Sequence, residues 1–105
     1  MKLEHLGKII EIEPRQAALE NRIVRMLNKH SAGVRQSRLF ILTQSGRLGA
    51  GIFHRSLDRL VNQEDVVKRV ATDHENSFLL KLTSWGEEIA RDLEQTIAER
   101  TISLT

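Results

Sequence analysis

The chain has 105 residues, 16 Lys/Arg against 14 Asp/Glu, 40% apolar and 29% charged residues, six glycines, one proline and no cysteine. That balance describes a single globular domain, argues against disorder or low complexity, and leaves disulfides, thiolate metal sites and cysteine-linked lipids without a residue to carry them. No apolar run approaches the ~20 residues of a membrane span and no secretory leader pattern opens the chain, so a cytoplasmic location is expected. Residues 15–69 hold eleven Lys/Arg against four Asp/Glu, whereas residues 84–105 hold two against five. A basic body with an acidic tail points to a polyanion-facing surface on one part of the molecule.

Residues 1–13, MKLEHLGKIIEIE, fit either a short helix with Leu3, Leu6 and Ile9 or Ile10 on one face, or an extended arm. Pro14 suits a first helical turn, and Arg15 to His30 read as a helix with Leu19, Ile23, Met26 and Leu27 inward. Ser31-Ala32-Gly33 ends it. A second helix is expected from about Arg35 to Gln44, with Leu39, Phe40 and Leu42 or Thr43 inside. A third runs from Gly49 or Ala50 to Asn62, its stripe formed by Phe53, Leu57 and Leu60.

After Glu64-Asp65 the period changes. Val66, Val67 and Val70 predict one strand, Asp73 to Ser77 a turn, and Phe78 to Leu82 a second strand. Thr83 or Ser84 can cap a last helix, with Glu87 completing a capping box if the cap is Ser84. Trp85, Ile89, Leu93 and Ile97 recur every four residues and give this helix an apolar stripe. The chain thus divides into an arm at 1–14, a body at 15–83 and a terminal amphipathic helix at 84–105. A body of this size buries a core without a wide stability margin. The terminal stripe is therefore expected to pair with a second copy, helped by Leu3 and Leu6, or to fold back over its own subunit.

The glycine-rich stretch GRLGAGIFHRSLDRLV, residues 46–61, raises the possibility of a phosphate-cradling loop. Gly46 and Gly51 have the spacing of a P-loop, but Ile52-Phe53 stand where it needs Lys and a hydroxyl. The dinucleotide fingerprint fails as well, because the glycines fall at 46, 49 and 51 and follow a helical segment. His5, His30, His54 and His74 occur singly, without metal-ligand spacing. Glu87, Glu88 and Asp92 read as a solvated face, and no serine sits in a nucleophile motif. No enzyme, cofactor or metal is expected.

Two short helices across a tight turn, followed by a β-hairpin, compose an α+β winged helix-turn-helix: a three-helix body, a hairpin wing and a C-terminal dimerisation helix. Lys81-Leu82-Thr83-Ser84-Trp85-Gly86-Glu87 resembles the L-T-x-x-G junction of MarR-like winged-helix transcription regulators. Leu57-Asp58-Arg59-Leu60 resembles the end of that family's recognition helix, and Asp65 to Arg69 its wing entry. The resemblance spans about residues 35–95.

It implies a homodimer built by terminal helices, with Leu3, Leu6, Trp85, Ile89, Leu93 and Ile97 at the contact, binding double-stranded DNA and usually repressing transcription. It also implies that Ala50, Gly51, Ile52, His54 and Arg55 lie nearest the bases. Arg55 is the best bidentate reader of guanine among them, and Ile52 a contact for a thymine methyl. Arg35, Arg38, Arg47, Arg59, Lys68, Arg69 and His74 are the expected phosphate contacts. The wing turn lacks the family's usual Arg. A small-molecule or protein effector fits the resemblance, but no residue marks its pocket. Two other roles stay open on the same scaffold: a protein-interaction module, and a plasmid-partition or replication accessory DNA-binding protein.

Overall fold

The computed structural model describes residues 14–74 and 77–103, with side chains as far as residue 96. The proposed arm, with Leu3 and Leu6, and the side chain of Ile97 lie outside the described residues. Helix α1 covers Pro14–Lys29, α2 Gln36–Leu42 and α3 Ala50–Asp58, the last continuing as a π-helical turn over Arg59–Gln63. Strands β1, Val67–Ala71, and β2, Phe78–Leu82, form the hairpin, and α4 covers Ser84–Ser103. The expected order of three helices, two strands and a helix is the observed one.

Each element forms where its apolar residues can meet. Helix α1 contributes Leu19, Ile23, Val24 and Leu27 to the core, and α3 contributes Ile52, Phe53, Leu57 and Leu60. Between α2 and α3 the packing is fixed by Phe40, whose ring meets Phe53 edge-on at 5.1 Å between centroids. Thr43 and Ser45 bury their hydroxyls at the turn without leaving them unsatisfied. Thr43 Oγ1 donates to the Leu39 carbonyl at 2.8 Å, and the two hydroxyls lie 2.6 Å apart.

The strands pair antiparallel in the register Val67 with Leu82 through Ala71 with Phe78. Val34 adds a single antiparallel bridge from a third chain segment by exchanging both backbone hydrogen bonds with Leu80. A lone hairpin is marginal in water. Here Val67, Leu80 and Leu82 seal it onto the helices.

The junction from β2 to α4 gives the L-T-x-x-G resemblance its physical content. Thr83, not Ser84, is the cap: its Oγ1 accepts the Gly86 N–H at 3.0 Å. The same hydroxyl donates to the Asp65 carbonyl at 2.6 Å, while the Thr83 N–H donates to that of Val66. Gly86 then lets the helix backbone lie directly against the Val66 carbonyl, which a Cβ at that position would meet at 2.1 Å.

Helix α4 folds back along α1 for part of its length. Arg25 Nε donates to Glu94 Oε1 at 3.3 Å, and Ile89 and Leu93 are half-buried against the subunit's own core. Of the residues expected to pair with a second copy, Trp85 is the most open among the described ones, at 44% exposure. Between α1 and α4 runs an open groove of about 370 Å³, lined by Ala17, Val24, Trp85, Ile89 and Leu93 together with Glu20, Arg59 and Glu64.

Candidate nucleic-acid interface

The surface of α3 is built by its own periodicity. Burying Ile52, Phe53, Ser56, Leu57 and Leu60 turns Gly51, His54, Arg55, Asp58 and Asn62 outward at spacings of three, four and seven residues. These form one continuous polar strip. Gly49 begins the helix at φ +94°, a backbone angle that a side chain would strain, and it offers no capping group. Ala50 and Gly51 follow on the exposed first turn, so the uncapped amides there can approach an anion closely. The three glycines of the stretch thus make a turn and an accessible helix start.

Arg55 reaches back towards that start. A Cβ placed on Gly51 would lie 3.7 Å from an Arg55 guanidinium nitrogen, so the arginine folds over the bare first turn. His54 lies edge-on to the Phe53 ring at 5.8 Å between centroids and stays exposed. Arg35 stands at the N-cap position of α2, Arg38 on its first turn, and Arg47 in the 3-10 turn that leads to α3. All three are exposed. On the hairpin, Lys68 is exposed, and Arg69 lies 5.5 Å over the Phe78 ring. His74 is exposed in the wing turn, where its backbone N–H donates to Thr72 Oγ1.

Two expected DNA contacts are overturned by this geometry. Ile52 is 8% exposed and belongs to the core, because the apolar stripe of α3 is one residue wider than Phe53, Leu57 and Leu60 alone. It cannot present a methyl-contacting surface to a base. Arg59 is drawn inward as well, its side chain 15% exposed. Its Nε lies 3.0 and 2.9 Å from the two oxygens of Glu20, its terminal nitrogens bond Glu20 and Glu64, and no open fork is left for a phosphate. The hydrogen bonds to Glu20 raise the Arg59 pKa above its ordinary, already high range.

Sequence reasoning missed Glu20, and the signal was present. Glu20 precedes Ile23 and Val24 by three and four residues, on the apolar stripe of α1. A carboxylate there needs a cation brought to it by the fold. Arg25 of α1 is likewise engaged within the subunit, paired with Glu94 of α4. Among the described residues no cluster of His, Asp or Glu could hold a metal ion, and no helix is long and apolar enough to cross a membrane.

Ser56 carries the one buried side-chain polar atom without a hydrogen-bond partner among the described residues. A buried, unmade hydroxyl bond costs about 1–3 kcal/mol. Ser56→Ala should therefore stabilise the fold by about 1 kcal/mol and raise the melting temperature by roughly 5 °C, read by circular dichroism. Unchanged or lower melting would mean that the hydroxyl is satisfied in solution.

No protein-family model matches the chain, and no curated protein matches it. Solved structures do. The crystal structure of SSV1 F-93 superposes with a TM-score of 0.61 at 20% identity, over 83% of this chain and 92% of F-93. That of Lactococcus lactis ZitR, a double mutant in its apo form, gives 0.64 at 19% identity, over 99% of this chain and 78% of ZitR. At such identities the likeness is one of fold, and the fold is the winged helix-turn-helix.

Proposed function

We propose that this chain binds double-stranded DNA sequence-specifically as a dimeric transcription regulator, acting as a repressor. The observation that carries the proposal is the exposed strip of α3, where Gly51, His54 and Arg55 stand together beside an uncapped helix start. Arg35, Arg38 and Arg47 flank it within the same helix-turn-helix, and the hairpin adds Lys68, Arg69 and His74. Helix α3 would enter the major groove with Arg55 bidentate on a guanine, while Ala50 and Gly51 allow close approach. The flanking arginines would set register on phosphates. Trp85 and the distal part of α4 would join two subunits, placing the two reading helices about one duplex turn apart. Repression follows from occupying the duplex.

A protein-interaction role is favoured by one feature, Ile41, which is 68% exposed on α2. Substitution separates the readings. Arg55→Ala should cost about 1–3 kcal/mol of discrimination between the preferred duplex and a mismatched one. Arg38→Ala should weaken binding to all duplexes alike and reduce the salt dependence by about one phosphate contact. Titrations of 20–30 bp duplexes over a salt series measure both. Preference untouched by Arg55→Ala would remove that residue from base reading, and absence of any duplex preference would favour the protein-partner role.

A further inference from the structure

We infer that Arg59 is a positioning residue that holds the DNA-reading helix at a fixed angle to the wing, by joining α1, the end of α3 and the wing entry through one guanidinium. The inference rests on the DNA-binding reading given above and extends it to a residue that does not touch DNA.

The geometry is specific. Arg59 sits where the α-helical turns of α3 give way to the π turn over Arg59–Gln63. Its carbonyl accepts the Glu64 N–H at 2.9 Å, and the next carbonyl, that of Leu60, accepts the Val66 N–H at 2.8 Å. Those two bonds turn the chain from the helix into β1, with Asp65 in the left-handed region at φ +53°. The side chain secures the same corner. One edge of the guanidinium forks onto Glu20 of α1, 39 residues earlier, and the other bonds Glu64 Oε1 at 2.8 Å. Gln16 Nε2, one turn before Glu20 on α1, donates to Glu20 Oε2 at 3.1 Å and orients the carboxylate.

Arg55 stands one helical turn before Arg59, and Lys68 and Arg69 follow Glu64 by four and five residues. Two surfaces that would contact one duplex are thus set apart by the corner that Arg59 clamps. Arg and Glu in this place act as a unit: a planar fork meets a carboxylate in a largely covered site, and removing either partner strands the other.

Glu20→Gln supplies the discriminating test, because it removes a negative charge. If electrostatic attraction to DNA were all that mattered, the variant would bind every duplex at least as tightly as the parent. The clamp predicts the reverse, a loss of about tenfold for the preferred duplex with an unchanged salt slope. Arg59→Lys, which keeps the charge but not the fork, should lose as much. Binding is measured well below each variant's melting temperature. Hydrogen exchange on the free protein gives a second arm: amides of residues 59–66 should exchange faster in Glu20→Gln, while those of α2 stay as in the parent.

Unchanged or tighter binding by Glu20→Gln would overturn the inference, as would a salt slope lowered by about one in Arg59→Ala, the mark of a phosphate contact. If the parent prefers no duplex, the DNA-binding reading fails on its own. Exchange then decides for the clamp, faster at 59–66 supporting it and unchanged overturning it.

Discussion

Gly86→Ala should be among the most damaging single-atom additions available to this chain. The added Cβ would stand 2.1 Å from the Val66 carbonyl oxygen and 3.1 Å from both the Val66 carbonyl carbon and Leu82 Cδ2. A flexible side chain could retreat from such a contact, but the obstacle here is backbone. The Val66 carbonyl is already held by the Thr83 N–H at 3.0 Å and faces Thr83 Oγ1 at 3.2 Å, so moving it undoes the cap of α4. Ordinary overpacking costs about 1–3 kcal/mol, and a clash with fixed backbone belongs at or above the top of that range. Denaturant unfolding followed by circular dichroism should show a loss of about 3 kcal/mol or more. A loss below about 1 kcal/mol would mean that α4 can lift from the wing entry, and the docking described for this junction would be wrong.

Phe53→Ala is expected to be as severe for a different reason. Phe53 is among the largest fully buried side chains, at 1% exposure, and is the ring that Phe40 of α2 meets edge-on. Truncation removes buried area, leaves a cavity between α2 and α3 and breaks the aromatic pair, for about 3–5 kcal/mol. Stability of a small domain is only about 5–15 kcal/mol, so much of it would be gone. Phe53→Leu, which keeps more of the buried volume, should cost clearly less. Under the proposed function, duplex binding should fall with stability and recover partly in Phe53→Leu, because Phe53 anchors the helix that carries His54 and Arg55. Equal stability of Phe53→Ala and the parent would contradict the core assignment.

What could be read from the sequence was whatever local spacing determines. The stripe Leu19, Ile23, Leu27 located α1, and Phe53, Leu57, Leu60 located α3, since a 3.6-residue period leaves little choice about which face is buried. The valines around Lys68 and Arg69, followed by Phe78 to Leu82, gave both strands of the hairpin.

What could not be read depended on partners far away in the chain. Arg59 lies at the edge of the α3 stripe and looked like one more surface cation. Only folding brings Glu20 to it from 39 residues away and converts a candidate phosphate contact into a largely covered ion pair. Ile52 was misplaced because it adjoins the stripe, and the width of that stripe is set by what α3 packs against. The terminal helix posed the same problem. Its period showed an apolar face, but whether α1 or a second subunit covers that face is tertiary information. Helix α1 takes up part of it, through Ile89 and Leu93. Thr83 won over Ser84 as the cap because its hydroxyl reaches both Gly86 and the wing entry, a link that no local pattern contains.

In the function proposed above, α3 reads a DNA sequence as part of a dimer. Its most direct test selects bound duplexes from a random pool and weighs the resulting complex by native mass spectrometry. The expected result is an enriched palindromic consensus, with half-sites about 10 bp or a multiple apart, in a complex containing two chains per duplex. A pool that stays random after selection, or one chain on an asymmetric site, would contradict it.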